Sequence, residues 1–264
     1  MRLKLVIKFE KWHGNGNDFV IINSIEDKFK LKKNFIKKIS DRNKGVGFDQ
    51  LIHVALPTKH EYDFFIKFYN CDGSEAGMCL NGIRCASSYI WGKQLSPIKK
   101  MSLQTKHVNL ECSPEKSNKV SINIDKPREI LDKELHRNLK KVIEEEFFLL
   151  NIGNNHLCIK MKSIEKVDLK MVYKNLEKLI KKLNINLSIF SETSKYINIR
   201  TYENGVGETL SCGSASLCVA SNALLEKNIV KIASIGGELK FKNHGNGILM
   251  SGLTSFIYEG NINE

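Results

Sequence analysis

Apolar positions along the chain follow two periods. Near the start, Leu3, Leu5, Ile7 and Phe9 alternate with Lys4, Lys8 and Glu10, the period of two that puts one face of a strand on a core and the other in water. Extended apolar runs recur at 62–69, 119–124 and 196–202 and are predicted as further strands. Leu169, Val172, Leu176, Leu179 and Leu183 instead recur every three or four residues, between Lys162, Lys166, Lys170, Lys174, Lys178 and Lys182. That spacing predicts an amphipathic helix with a solvated lysine face. The cluster Lys28, Lys30, Lys32, Lys33, Lys37 and Lys38 reads the same way. Segments 81–91 and 214–225 are small and apolar with few breakers, as expected of buried helices.

Shifted against itself by 133 residues, the chain lays Ile66, Lys67, Tyr69, Glu75, Cys79, Cys85 and Ser88 over Ile199, Arg200, Tyr202, Glu208, Cys212, Cys218 and Ser221. Each copy runs from an apolar strand through a glycine-containing loop (Gly73 and Gly77; Gly205 and Gly207) to a cysteine and a buried helix. One uninterrupted offset with both cysteine pairs in register points to two similar halves. The expected division is 1–124 and 125–264, near Lys126-Pro127, with the last strand able to pack back on the first half.

Composition narrows the class. With 42% apolar residues in 264, the chain can bury a core and is long enough for two domains. No apolar run approaches the ~18 residues that span a bilayer, and the alternating start is unlike an export signal. Seven cysteines, none in a Cys-x-x-Cys pair, then predict reduced thiols in the cytoplasm. The charge is +12, from 41 Lys and Arg against 29 Asp and Glu. Only six of the 41 are Arg, the residue nucleic-acid readers use for bidentate contacts, so no specific nucleic-acid partner is expected.

Cys79 and Cys212 both stand where a predicted helix begins. Unpaired backbone N–H groups and the positive end of the helix dipole favour a thiolate there. Cys85 and Cys218, six residues on, read as small buried hydrophobes. If the two helix starts converged, one sulfur could take a proton from a carbon while the other returned one to the opposite face. The N–H groups of Leu80, Asn81, Gly213 and Ser214 would meet a substrate carboxylate. A redox dithiol normally places its cysteines in a local pair, and a structural zinc site needs close ligand spacing; neither pattern is present.

The segments His13-Gly-Asn-Gly-Asn-Asp18-Phe, Gly45-Val-Gly-Phe-Asp-Gln50 and Asn70-Cys-Asp-Gly-Ser-Glu-Ala-Gly-Met-Cys79-Leu-Asn-Gly-Ile-Arg84 resemble the diaminopimelate epimerase family. So do Gly153-Asn-Asn-His156, Glu203-Asn-Gly-Val-Gly-Glu-Thr-Leu-Ser-Cys212-Gly-Ser-Ala and Gly236-Gly-Glu-Leu. The resemblance spans essentially the whole chain. It implies an α/β fold of two pseudo-symmetric halves, each a curled mixed sheet around a central helix. It further implies inversion of an amino acid without pyridoxal phosphate, metal or other cofactor, in a homodimer with no membrane partner. Carried over motif by motif, Cys79 and Cys212 are the acid/base pair, and His156 and Glu203 flank the reacting centre. Asn17, Gln50, Asn70, Asn81, Asn154 and Asn184 match substrate-contacting amides, with Gly213 and Ser214 at the second helix start. A non-catalytic amino-acid-binding protein on the same scaffold is the alternative of a different class.

Three positions depart from the family pattern. Asn204 stands where the family has the arginine that resembles a clamp on the substrate's distal carboxylate, Leu80 replaces a glycine beside Cys79, and Asn155 replaces a proline before His156. One neutral amide cannot replace a bidentate guanidinium in a closed cleft, a difference of roughly 1.5–3 kcal/mol. These departures predict a smaller, single-headed substrate, histidine first, with diaminopimelate as the alternative.

Overall fold

The structure is a computed structural model. It describes residues 6–25 and 29–263, so Leu3, Lys4, Leu5 and Lys28 lie outside the described residues. By internal contacts the chain forms two compact units, one running up to Ile122 and taking up the chain again from Gly252, the other Asn123–Ser251.

In the first unit β1 (Val6–Gly14) and β2 (Asn17–Asn23) form an antiparallel hairpin, and α1 (Lys33–Ser40) carries the chain to β3 (Gln50–Ala55), parallel to β2. Antiparallel β4 (Phe64–Asn70) follows, then the short β5 (Glu75–Ala76) and α2 (Leu80–Gly92). Next come β6 (Met101–Gln104), parallel to β4, antiparallel β7 (Asn109–Pro114), and β8 (Lys119–Asp125), which leads out of the unit.

The second unit opens with β9 (Arg128–Glu129) and α3 (Lys133–Leu139) and then repeats the succession. Its elements are β10 (Phe147–Asn151), β11 (Asn155–Lys160), α4 (Leu169–Ile180), β12 (Ile185–Glu192), β13 (Ile197–Glu203) and β14 (Gly207–Thr209), followed by α5 (Gly213–Ala223), β15 (Ile229–Ser234), β16 (Gly237–His244) and β17 (Gly247–Leu253). Pairing is again antiparallel, parallel and antiparallel from β10 to β13, with β15 parallel to β13 and β16 antiparallel to β15. The last strand, β18 (Ser255–Asn263), pairs antiparallel with β1 and so completes the first unit's sheet, as β9 does for β10 in the second.

The fold is therefore α/β with mixed sheets, and each sheet is covered on both faces. In β2, Val20 and Ile22 enter a core shared with Phe35, Ile36 and Ile39 of α1. Phe19 on the opposite face lies where a β-carbon on Gly82 of α2 would touch it. In the second unit Leu157, Ile159, Leu187 and Ile189 pack with Leu169, Tyr173 and Leu176 of α4, while α5 packs against β11, β12, β15 and β16. Strands covered on both faces lose the simple polar alternation and become apolar runs, as in the wholly buried Phe19–Ile22. Both α2 and α5 are buried along most of their length.

The lysine ladder overestimates its helix. Lys162 and Lys166 precede α4, which begins at Leu169 because the Asp168 carboxylate accepts from the Met171 N–H at 3.0 Å and caps the first turn. Among the described residues no helix is long and apolar enough to cross a membrane.

Candidate active site

In the first unit the candidate residues gather at one end of the sheet. Asn17 opens β2, Gln50 opens β3, Asn70 closes β4, and Cys79 is the N-cap of α2. Gln50 and Asn70 are register partners, and the Gln50 amide donates to Asn70 Oδ1 at 3.2 Å. Asn17 donates to Asp49 Oδ2 at 2.8 Å, and its own oxygen lies 3.3 Å from the half-buried Cys79 sulfur. Asp49 thus decides which end of the Asn17 amide meets the cysteine.

Behind that contact lies an ion network. Asp18 receives both Arg42 terminal nitrogens, at 2.8 and 2.9 Å, and the Lys11 ammonium at 2.6 Å; Lys11 also donates to the Gly47 carbonyl. Burial opposes ionisation of Asp18, but the bonds from Arg42 and Lys11 outweigh it and hold the carboxyl well below its usual range. Arg42 also reaches Asp49 at 2.7 Å, which joins the motifs around Asp18 and Gln50.

The second unit builds the equivalent end differently. Cys212 is the N-cap of α5, and its sulfur lies 3.3 Å from Ser214 Oγ. Asn154 donates to Ser214 Oγ at 3.4 Å, and its oxygen faces His156 Nε2 at 3.1 Å. Since that amide oxygen can only accept, the His156 proton belongs on Nε2, leaving the lone pair on Nδ1; Nδ1 is buried without a hydrogen-bond partner. His156 is on β11 and not in a loop, opposite in alternation to Leu157 of the outer core, so it faces the α5 side. Burial lowers it to about 4, so it is neutral near pH 7. Glu203, the 133-residue counterpart of Asn70, closes β13 and accepts from Thr209 Oγ1 at 2.7 Å.

The three departures find local explanations. Asn204 accepts from the Tyr173 hydroxyl at 2.7 Å, donates to Asn184 Oδ1 at 3.0 Å, and takes Asn186 Oδ1 on its backbone N–H at 2.9 Å. Asn184 has φ 49°, the left-handed conformation that asparagine tolerates, at the end of the turn after α4. Leu80 is only 3% exposed, so its side chain belongs to the interior and leaves its backbone N–H at the helix start. Asn155, in place of proline, brings a side-chain amide whose Nδ2 donates to the Leu183 carbonyl at 2.8 Å.

Sequence reasoning missed Asn15, Arg42, Asp49, Arg84 and Tyr173. All but Tyr173 lie in or just beside the matched motifs, where they hold other motif residues.

The family profile described as Diaminopimelate epimerase matches residues 9–130. Proteins named diaminopimelate epimerase from Wigglesworthia glossinidia brevipalpis and Blochmanniella floridana are 35% and 34% identical to this chain, each across 97% of it and 100% of their own length. In fold, the chain resembles the Bacillus anthracis phenazine biosynthesis protein of the PhzF family (TM-score 0.72, 14% identity, 98% of this chain and 99% of that one). It also resembles a hydroxyproline epimerase from Agrobacterium vitis solved with trans-4-hydroxy-L-proline (TM-score 0.70, 11% identity, 100% and 92%). The scaffold is one shared by epimerases, and the protein is an isomerase of the epimerase and racemase class. The chain belongs to the diaminopimelate epimerase family.

Proposed function

We propose that this protein interconverts L,L- and meso-diaminopimelate by moving the α-proton between two cysteines without a cofactor. Cys79 and Cys212 are the acid and the base and exchange roles with the direction of turnover. Amide N–H groups at the starts of α2 and α5 stabilise the substrate carboxylate and the charge that develops as the proton leaves. The observation that carries this reading is the twofold occurrence of strand, hairpin, N-cap cysteine and buried helix at one offset, in a chain whose relatives are named for this activity. His156, neutral and held by Asn154, and Glu203 order the Cys212 side.

A second reading, a single-headed substrate such as histidine, draws on one observation. Asn204, where the family carries a cation, is engaged with Tyr173 and Asn184. The relatives favour diaminopimelate, and nothing in them points to histidine.

Reduced protein in D₂O, offered L,L-diaminopimelate and L-histidine separately, tests both readings. Deuterium at the α-carbon and formation of the meso isomer are expected with diaminopimelate. Cys79→Ala and Cys212→Ala are each expected to lower inversion at least about a hundredfold. Inversion of histidine alone would reject diaminopimelate as substrate, and binding of diaminopimelate without any exchange would reject catalysis altogether.

A further inference from the structure

Arg84 is the largest fully buried side chain among the described residues, at 0% exposure. It leaves α2 in its second turn and folds back toward the helix start, the direction helical side chains favour. Its guanidinium reaches Asn81 Oδ1 at 2.9 Å, Asn15 Oδ1 at 3.1 Å and the Leu80 carbonyl at 3.4 Å. These acceptors are all neutral, and Nε has no partner. The site is built to hold the cation. A β-carbon on Gly14 would lie 3.4 Å from Nη2, and Asn15 offers its oxygen from a left-handed backbone, φ 54°. A charge buried among neutral oxygens is costly unless a counter-charge lies nearby.

Two sulfurs belong to the same surroundings: a β-carbon on Gly14 would lie 3.3 Å from Cys85 Sγ as well as 3.4 Å from Nη2, and Cys79 is the N-cap of the helix start whose Leu80 carbonyl and Asn81 oxygen Arg84 holds. Cys85 is fully buried, and desolvation pushes its thiol far up despite Arg84. Cys79 is half-buried at the helix start. Among charged groups on the strands packed against α2, Glu10 pairs with Lys93, Lys11 with Asp18, and Glu111 with Lys100. His53 is lowered to about 4 by burial and by Lys67, and Cys112 is raised to about 12 chiefly by burial. The 133-residue counterpart of Arg84 is Leu217, also fully buried.

We propose that Arg84 is a positioning residue that makes the two catalytic cysteines unequal: its buried charge holds Cys79 as the thiolate of the resting enzyme, leaving Cys212, whose helix carries Leu217 instead, as the thiol. This rests on the reading of Cys79 and Cys212 as the acid/base pair. A two-base inversion needs one sulfur protonated and one not, and a guanidinium in one half settles which. Of two local contacts, one pulls the other way weakly and one is indifferent. The Asn17 oxygen suits an S–H at Cys79, but one sulfur hydrogen bond is a small effect beside a permanent interior charge. The Ser214 hydroxyl can rotate to serve either form of Cys212. Arg84 also takes up the Asn81 and Asn15 oxygens, which fixes both amides at the helix start.

The test is the pH dependence of iodoacetamide labelling, read separately at Cys79 and Cys212 by peptide mass spectrometry on wild type, Arg84→Met and Arg84→Lys, without substrate. In wild type the Cys79 midpoint is expected at least one pH unit below the ~8.5 of an ordinary thiol and below that of Cys212. Arg84→Met should raise it by one unit or more, a tenfold slower reaction at pH 7, with Cys212 unmoved. Arg84→Lys should stay near wild type. A folded Arg84→Met protein with an unchanged Cys79 midpoint would reduce Arg84 to packing and overturn the proposal. If Arg84→Met does not fold, a wild-type Cys79 midpoint at or above that of an ordinary thiol overturns it as well. These midpoints do not depend on which amino acid is turned over, so failure here is distinguishable from failure of the substrate assignment.

Discussion

Two buried histidines make the stability of the protein depend on pH. Burial, aided by Lys67 for His53, lowers His53 and His156 to about 4, whereas in the unfolded chain each returns to about 6.5. Between those values the unfolded state binds more protons, so stability is full above pH 6.5 and falls as the pH drops toward 4. The loss amounts to roughly 3 kcal/mol per histidine at the acid end. Denaturant unfolding at pH 7.5 and 5 should show it, and His53→Gln should remove about half of the slope. Equal stability at both pH values would mean that neither ring is held neutral. The candidacy of His156 was legible from its Gly-Asn-Asn-His motif. Its tautomer was not, because that depends on Asn154 being anchored to Ser214, sixty positions away.

At the scale of elements, α2 and its surroundings show why one motif glycine is required. A β-carbon at Gly82 would lie 2.5 Å from the Phe68 ring, 3.1 Å from Phe19 and 3.2 Å from Ile52. Gly82→Ala is therefore expected to destabilise by roughly 1–3 kcal/mol, although alanine is the better helix former. Thermal unfolding checks this, and an unchanged or higher midpoint would show that β2, β3 and β4 yield to the helix. In α5 the equivalent position, Ala215, already carries a β-carbon and is fully buried, so the two central helices fit their sheets differently. The repeat in the sequence predicted both helices to within one or two residues at each end. The lysine spacing overran at α4: it starts at Lys162, ahead of Asp168, which caps the first turn.

For the molecule as a whole, β18 is the segment with the most distant partner. It lies at the end of the chain yet pairs with β1 from Val6↔Asn263 to His13↔Ser255, and Glu259 adds an ion pair to Lys93 at the end of α2. A chain ending at Thr254 should melt lower and aggregate, because β1 would then present an unpaired edge. Light scattering alongside a thermal melt tests this. A truncated protein that stays monodisperse at the wild-type midpoint would mean that β18 merely decorates the sheet.

The sequence by itself determined the repeated strand, loop, cysteine and helix unit, the two α/β halves and the family, because local periodicity and motif order are written along the chain. Only the tertiary structure decided where individual motif residues sit and what they touch. Leu80 reads as an intrusion beside Cys79 until its burial places it in the core. Arg84 reads as one more cation until its guanidinium is found enclosed by Gly14, Asn15 and Asn81. Desolvation and charge pairing depend on which atoms surround a group in space, and residues 14 and 84 meet only once the chain has folded.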